Sequence, residues 1–274
     1  MHTRFLYTSS PDWAVCDQHL DKLLESADFR VIKKTSRTLA GALRINGTEV
    51  FVKRVDLASW NQGLAKRFFG SHAKRALRGS ALLDGARVAH PKPLAALESR
   101  RFGAVRSSYV ITEMLRRPRT LSRFALSDGR NFNRRHWLSM HLAREIRRVH
   151  DAGCFTRDLQ ETNLMLETRG TELTVYFLDL EDFRRLRWVP LRLRMLNLIH
   201  LDRSIGRFVS RTQRLRFLYN YLGGKPGHDE ARQMLRRFNQ LRARIERKRR
   251  GRHSSVIVAG FETEPPAEGT SSAQ

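Results

Sequence analysis

Cysteine is nearly absent: Cys16 and Cys154 are the only two among 274 residues. Two thiols so far apart supply neither a disulfide framework nor a metal knuckle. A reducing compartment is therefore the expected setting, and 274 residues are enough to form a core without staples. No base is spaced to activate Cys154, so its expected role is that of a buried structural thiol. Long apolar runs are missing as well. No segment approaches the roughly 20 residues of a membrane span, and the opening M-H-T-R-F-L-Y-T-S-S-P-D-W lacks the apolar stretch of a signal peptide. The chain is expected to stay inside the cell. Acid is scarce: 27 Asp and Glu face 52 Lys and Arg, a formal net charge of +25. Such a field favours an anionic partner, whether nucleic acid, an acidic membrane leaflet or a substrate carrying phosphates and carboxylates. There is no internal repeat.

Against these absences stands one dense stretch, residues 150–183. It reads H-D-A-G-C-F-T-R-D-L-Q-E-T-N-L-M-L, then a polar turn, then L-T-V-Y-F-L-D-L-E-D-F. Arg157-Asp158-Leu159 is followed by Asn163, five residues after the aspartate, then by an apolar triplet, a turn, an apolar strand and Asp179. This is the catalytic-loop order of a protein-kinase-like phosphotransferase. Phosphoryl transfer asks little covalent chemistry of a protein and much positioning and charge. In that chemistry Asp158 accepts or orients the attacking hydroxyl, while Asn163 and Asp179, at the two ends of a hairpin, hold the Mg²⁺ that bridges the phosphates of ATP.

The rest of the chain can be read around that loop as an α+β, two-lobed fold. It comprises a small antiparallel-sheet lobe over residues 1–115, a mainly helical lobe over 116–250, and a mostly disordered tail over 251–274. Ser10-Pro11 starts a helix over residues 11–27. Three antiparallel strands follow at 29–34, 39–45 and 49–55, the last two joined by an Asn46-Gly47 turn. Lys53 lies on the third, where kinases keep the lysine that contacts nucleotide phosphates. Residues 34–38 take the place of the phosphate-covering loop without a G-x-G-x-x-G pattern. A helix is expected over 73–84, with Gly85 placed to end it. No glutamate occurs between Val50 and Leu97, so this helix offers Lys53 no acidic partner of the usual kind.

Residues 94–96 lead through a polar loop to a buried strand at 108–115. Its end forms a hinge where Glu113 and Met114 present backbone groups to a purine edge. Helices are expected at 120–126 and 133–152, the second with an apolar stripe of Leu138, Leu142, Ile146 and Val149. His150, in the last turn, suits the negative end of the helix dipole and is expected to bond nearby loop backbone. Further helices fall at 191–207, 210–222 and 228–249. No A-P-E motif follows Asp179, so a peptide-substrate platform is not expected.

With these residues in hand, the chain resembles the lipopolysaccharide kinase family, the Kdo and heptose kinases of the lipid A inner core. The likeness rests on F-V-K-R, H-P-K-P-L-A, I-T-E, the 150–166 loop, F-L-D-L-E-D-F-R-R, L-D-R-S-I and R-L-R-F-L-Y-N-Y-L, from about residue 33 to 222. The last element discriminates most, because generic kinases lack it. The resemblance implies a cytoplasmic enzyme, peripheral at the inner membrane of a Gram-negative-type bacterium. It would move the γ-phosphate of ATP onto a sugar hydroxyl of the lipopolysaccharide core. Carried over by position, Lys53 binds phosphate, Asp158 is the base, and Asn163 and Asp179 hold Mg²⁺. Thr156 stands where kinases usually have the loop-bracing histidine of H-R-D.

Two other readings stay open. One is a kinase-shaped binding protein without turnover, held to anionic membrane or nucleic acid by its arginines. The other is a kinase for a different hydroxyl, on an aminoglycoside, choline or a protein side chain. A direct nucleic-acid function is not expected, since R-R-F-N-Q-L-R-A-R-I-E-R-K-R-R-G-R reads first as a solvated face or a lipid-surface element.

Overall fold

The computed structural model describes residues 2–57, 70–102, 104–127, 132–170, 172–224 and 228–259. It divides into two compact units, Met1–Lys225 and Pro226–Gln274. The expected N-terminal lobe and residues 116–225 of the expected helical lobe fall within the first unit, and residues 226–250 of that lobe fall in the second.

Six strands form the sheet of the N-terminal lobe: β1 (His2–Thr8), β2 (Arg30–Lys34), β3 (Thr38–Ile45), β4 (Thr48–Asp56), β5 (Pro93–Arg101) and β6 (Ala104–Glu113). All pairings are antiparallel, in the order β1-β5-β6-β4-β3-β2. Two strands correct the sequence reading. β1 is an edge strand whose few apolar residues and register break between Phe5 and Tyr7 blur its alternation. The expected polar loop after residue 96 is the second half of β5, where Glu98 and Ser99 are buried and hide the period of two. The β3–β4 turn is as expected: Asn46 (φ 48°) and Gly47 (φ 76°) are both left-handed, matching the twist of the flanking strands.

A 3-10 turn at Pro11–Val15 precedes α1 (Cys16–Glu25), so the first helix begins later than Ser10-Pro11 suggests. Trp13, Leu20 and Leu24 pack with Leu43, Ile45, Val50, Val52, Leu97, Tyr109 and Ile111 to form the sheet's core. Because strand side chains alternate, burying Val50 and Val52 in that core turns Lys53 to the opposite face. That alternation is the local reason the lysine points away from the sheet's core and toward Asp179 and Glu181.

α2 (His72–Gly85) starts at Ser71, whose hydroxyl accepts from the Lys74 amide at 3.2 Å. Its end differs from expectation. Gly85 is still helical, and the left-handed residue is Arg87 (φ 54°). The amides of Arg87 and Val88 donate to Asp84 O and Leu83 O, each at 2.9 Å, the paired reverse bonds of a helix terminus that ordinarily employs glycine.

The helical lobe contains β7 (Arg119–Thr120), α3 (Leu121–Ser127), α4 (Phe132–Asp151), β8 (Cys154–Thr156), β9 (Leu164–Arg169), β10 (Glu172–Phe177) and β11 (Phe183–Arg185). α5 (Leu191–Ile205) and α6 (Arg211–Leu222) complete it. The expected stripe of α4 is buried, joined by Ala143. α6 opens with a capping box between Ser210 and Gln213 and closes on Gly223 (φ 97°). In the second unit α7 (His228–Ala259) continues past the expected end at residue 249, with no proline to stop it. Residues 260–274, the rest of the expected tail, lie outside the described residues. No helix among the described residues is long and apolar enough to cross a membrane.

A left-handed arginine costs about 1 kcal/mol relative to glycine. Arg87→Gly should therefore raise unfolding free energy by about that amount. Urea denaturation would show it as a higher midpoint at unchanged slope, and a lower midpoint would refute this account of the helix end.

Candidate active site

Lys53 on β4 reaches across to the segment after the catalytic hairpin. Its Nζ donates to Asp179 Oδ1 at 3.0 Å and to Glu181 Oε1 at 2.7 Å. Glu181 is only 12% exposed, and its Oε1 also meets Nε2 of His72, the first residue of α2. The lysine's missing partner thus comes from the turn after Asp179, and the helix contributes a histidine to that carboxylate. The sequence signal was the acid run D-L-E-D itself; tying Glu181 to Lys53 requires the fold.

α2 approaches this turn closely enough that a Cβ on Gly79 would fall 1.8 Å from Leu180 O. Glu181 is largely withdrawn from water, which disfavours its charge. The His72 hydrogen bond and the charges of His72 and Lys53 outweigh that and hold its carboxyl well below the usual carboxylate range. Asp179 moves the other way: burial and the neighbouring Glu181 push it up, against the pull of Lys53. Burial works against the ammonium of Lys53, but Glu181 and Asp179 more than offset it, and its pKa is raised.

The catalytic loop follows β8. Asp158 Oδ1 accepts from Gln160 Nε2, and Oδ2 accepts from Asn163 Nδ2 at 3.3 Å. The same Asn163 amide donates to Asp158 O at 2.9 Å. The hairpin register sets Phe177 opposite Leu164, and the Leu178 amide donates to Asn163 O at 3.0 Å. Asn163 and Asp179, expected at the two ends of a hairpin, precede and follow the β9–β10 hairpin in sequence and are brought together at its open end.

Among the described residues no group of three or more His, Cys, Asp or Glu could cage a metal. The donors present suit Mg²⁺, which takes one or two protein oxygens and completes its shell with water and substrate phosphates. Asn163 Oδ1 makes no hydrogen bond among the described residues, and the raised carboxyl of Asp179 is one that a dication would bring down.

Thr156 is braced from outside the loop. Its carbonyl accepts from Asn197 Nδ2 of α5 at 2.8 Å, and its hydroxyl accepts from the Asp158 amide at 3.3 Å. Asn197 Oδ1 in turn accepts from His150 Nε2 at 3.0 Å, which leaves His150 Nδ1 to accept from the Tyr221 hydroxyl of α6 at 2.7 Å. His150 was expected to bond nearby backbone as a dipole-stabilised cation. It is instead 1% exposed, and burial pushes its pKa down to about 4, so it is neutral and linked to two distant helices. Cys154 is buried as expected, and burial pushes its thiol up, away from nucleophilic use.

At the hinge, the Glu113 amide is engaged with Lys92 O at 3.0 Å. The Glu113 carbonyl accepts from the Thr112 hydroxyl at 3.4 Å.

A methyl at Gly79 cannot fit without displacing the Leu180–Asp182 turn. A shift of about 1 Å in a positioning group costs on the order of a hundredfold in rate. Gly79→Ala should therefore lower phosphotransfer by about that factor while the protein stays folded by circular dichroism; unchanged turnover would refute the close-approach argument. His150 generates a pH expectation. Its native pKa lies below its unfolded value, so its contribution is complete above pH 6.5 and is lost as pH falls toward 4, by roughly 3 kcal/mol. Unfolding free energy should drop across that window, with a shallower slope in His150→Gln; identical slopes would remove the histidine from the account.

By overall structure the chain is similar to WaaP in a complex with acyl carrier protein. The TM-score is 0.65 at 22% sequence identity, over 89% of this chain and 97% of that one. Among curated proteins none matches by sequence. The model of the lipopolysaccharide kinase (Kdo/WaaP) family matches residues 71–221, a span that includes His72, Asp158, Asn163, Asp179, Glu181 and Tyr221 and leaves Lys53 to be placed by the structure. More than half of the chain carries that match, over the same residues that assemble the site, and the chain belongs to the lipopolysaccharide kinase (Kdo/WaaP) family.

Proposed function

We propose that the chain transfers the γ-phosphate of ATP, with Mg²⁺, to a Kdo or heptose hydroxyl of the lipopolysaccharide inner core at the cytoplasmic face of the membrane. The observation that carries this reading is the convergence of Lys53 with Asp179 and Glu181 beside a loop in which Asn163 orients Asp158. Asp158, with both carboxylate oxygens fixed as acceptors, is the group to receive the proton of the attacking sugar hydroxyl. Lys53, kept charged by Glu181, contacts the α- and β-phosphates, and Asn163 and Asp179 hold the Mg²⁺ that neutralises charge on the phosphates. The Glu113 carbonyl and the Met114 backbone face the purine edge.

The acceptor class has its own support. Burial and the positive charges of Arg157, Arg75 and Arg78 push the Arg184 guanidinium's pKa down, which marks a gathering of cations next to the catalytic loop. Arg184 is anchored to Glu181 O and Phe183 O at 2.8 Å each, and Arg75 Nε is buried without a hydrogen-bond partner. Like charge of this kind, only partly offset by Asp182, favours an acceptor with phosphate or carboxylate groups of its own. A net charge of +25 favours residence at an acidic leaflet.

The test is to incubate the protein with labelled ATP and dephosphorylated lipid A core and to locate the label by mass spectrometry. Asp158→Ala should reduce transfer by roughly a thousandfold while vesicle association persists. If the parent consumes ATP no faster than background, the kinase reading fails and a kinase-shaped binding protein remains.

A further inference from the structure

A second cationic site lies elsewhere in the first unit and includes none of Lys53, Asp158, Asn163, Asp179 and Glu181. A cavity of about 540 Å³ is walled by the end of α2 (Gly85, Ala86, Arg87), the last turns of α4 (Arg144 to Ala152) and the end of α6 (Asn220, Gly223, Gly224). Four guanidiniums line it, those of Arg87, Arg144, Arg147 and Arg148, against the single carboxylate of Asp151.

Two of these arginines are braced. Arg147 donates to Tyr221 O at 3.2 Å and pairs with Asp151 at 3.2 Å, and Arg148 donates to Arg87 O at 3.3 Å and pairs with Glu145 at 3.1 Å. Gly223 leaves room for the brace: a Cβ there would sit 2.3 Å from Arg147 Nη1. The other two, Arg87 and Arg144, have no hydrogen-bond or ion-pair partner among the described residues, and both are exposed.

Arg87 adds an independent observation, because it occupies the left-handed position of the helix end where glycine would be free of strain. A long cation held at a backbone cost, beside three others and one acid, is an arrangement that folding alone does not favour. We infer that this cavity binds a ligand bearing one or more phosphate groups, with the forks of Arg87 and Arg144 as the binding pair and Arg147 and Arg148 as the fixed floor. The shared chemistry is the phosphate. It can belong to a soluble polyphosphate or to a lipid headgroup at the membrane surface. The inference does not depend on the phosphotransfer reading, because none of the residues involved touches the catalytic loop's side chains.

The test uses the full chain and reads the site locally. Inorganic pyrophosphate is titrated while hydrogen exchange is followed at residues 144–152 and 220–224, in the parent, in Arg87→Gly with Arg144→Ala, in Lys53→Met, and in a charge-matched control, Arg4→Ala with Arg44→Ala. Exchange in those segments should slow with pyrophosphate in the parent, the control and Lys53→Met. In the Arg87/Arg144 variant the affinity should fall by roughly tenfold or more for each guanidinium lost. Arg87→Gly relieves backbone strain, so lost binding cannot be put down to lost folding.

A parallel arm replaces pyrophosphate with vesicles of phosphatidylcholine with or without phosphatidylglycerol. Protection by phosphatidylglycerol vesicles alone, abolished in the same variant, supports the site and assigns it to a headgroup; protection by pyrophosphate assigns it to a soluble ligand. No protection by either probe overturns the inference. So does an equal loss in the charge-matched control, or a loss in Lys53→Met alone.

Discussion

The ammonium of Lys53, shared between Asp179 and Glu181, fastens the sheet to the turn that follows the catalytic hairpin, and α2 is fastened to the same turn through His72. Withdrawing ionised groups from water costs several kcal/mol each, and only close, well-satisfied geometry offsets it. The two acids do not share the burden evenly. Glu181, bonded on one side by the ammonium and on the other by the imidazole, stays far below the usual carboxylate range, whereas Asp179 is pushed up by its neighbour. Glu181 is therefore the permanent counter-ion of Lys53. Asp179 is the less firmly held of the two acids. The same half-buried lysine thus holds two carboxylates, two residues apart, with unequal firmness.

The helical lobe solves a parallel problem by similar means. The loop that carries Asp158 is fixed in place from outside. Thr156, in the position where a histidine usually does this, has a side chain too short to span to another helix. The span is made instead by Asn197, which joins the Thr156 carbonyl to His150, and by Tyr221, which closes the chain of bonds from α6. A neutral imidazole suits this role because it donates at one nitrogen and accepts at the other. The R-L-R-F-L-Y-N-Y-L segment, distant in sequence from the loop, belongs with it physically because its Tyr221 hydroxyl is the last link.

What could be read from the sequence follows the range of the interactions involved. The order Asp158, Asn163, Asp179 is written within one loop and one hairpin, and Lys53 within one strand whose buried valines set its direction; all were legible. The α4 stripe and the Asn46-Gly47 turn were legible for the same local reason. Glu181 as the partner of Lys53, His72 as its second contact and the His150 brace each join segments far apart in sequence, so no local pattern announces them. Where local signals misled, a tertiary constraint had won. Gly85 has the residue type of a helix stop, but the reverse turn closes two residues later at Arg87. The polar half of β5 lies in the middle of a sheet, where pairing on both edges and buried Glu98 and Ser99 override its loop-like composition.

The scarcity of acid has a structural counterpart. Many arginines in this chain are matched to backbone carbonyls: Arg147 to Tyr221 O, Arg148 to Arg87 O, Arg184 to Glu181 O and Phe183 O, Arg194 to Val189 O and His150 O, and Arg214 to Gly206 O. A guanidinium can satisfy an orphaned carbonyl at a helix end or loop with one of its five donors, and it does so without losing its charge. A fold fastened in this way needs few carboxylates, and it accumulates positive charge as a consequence of its own construction. Net charge then draws anions toward the whole surface, but it cannot select among them. Selection falls to the arginines that no carbonyl or carboxylate has claimed, and among the described residues these include Arg75, Arg78 and Arg157 beside the catalytic loop.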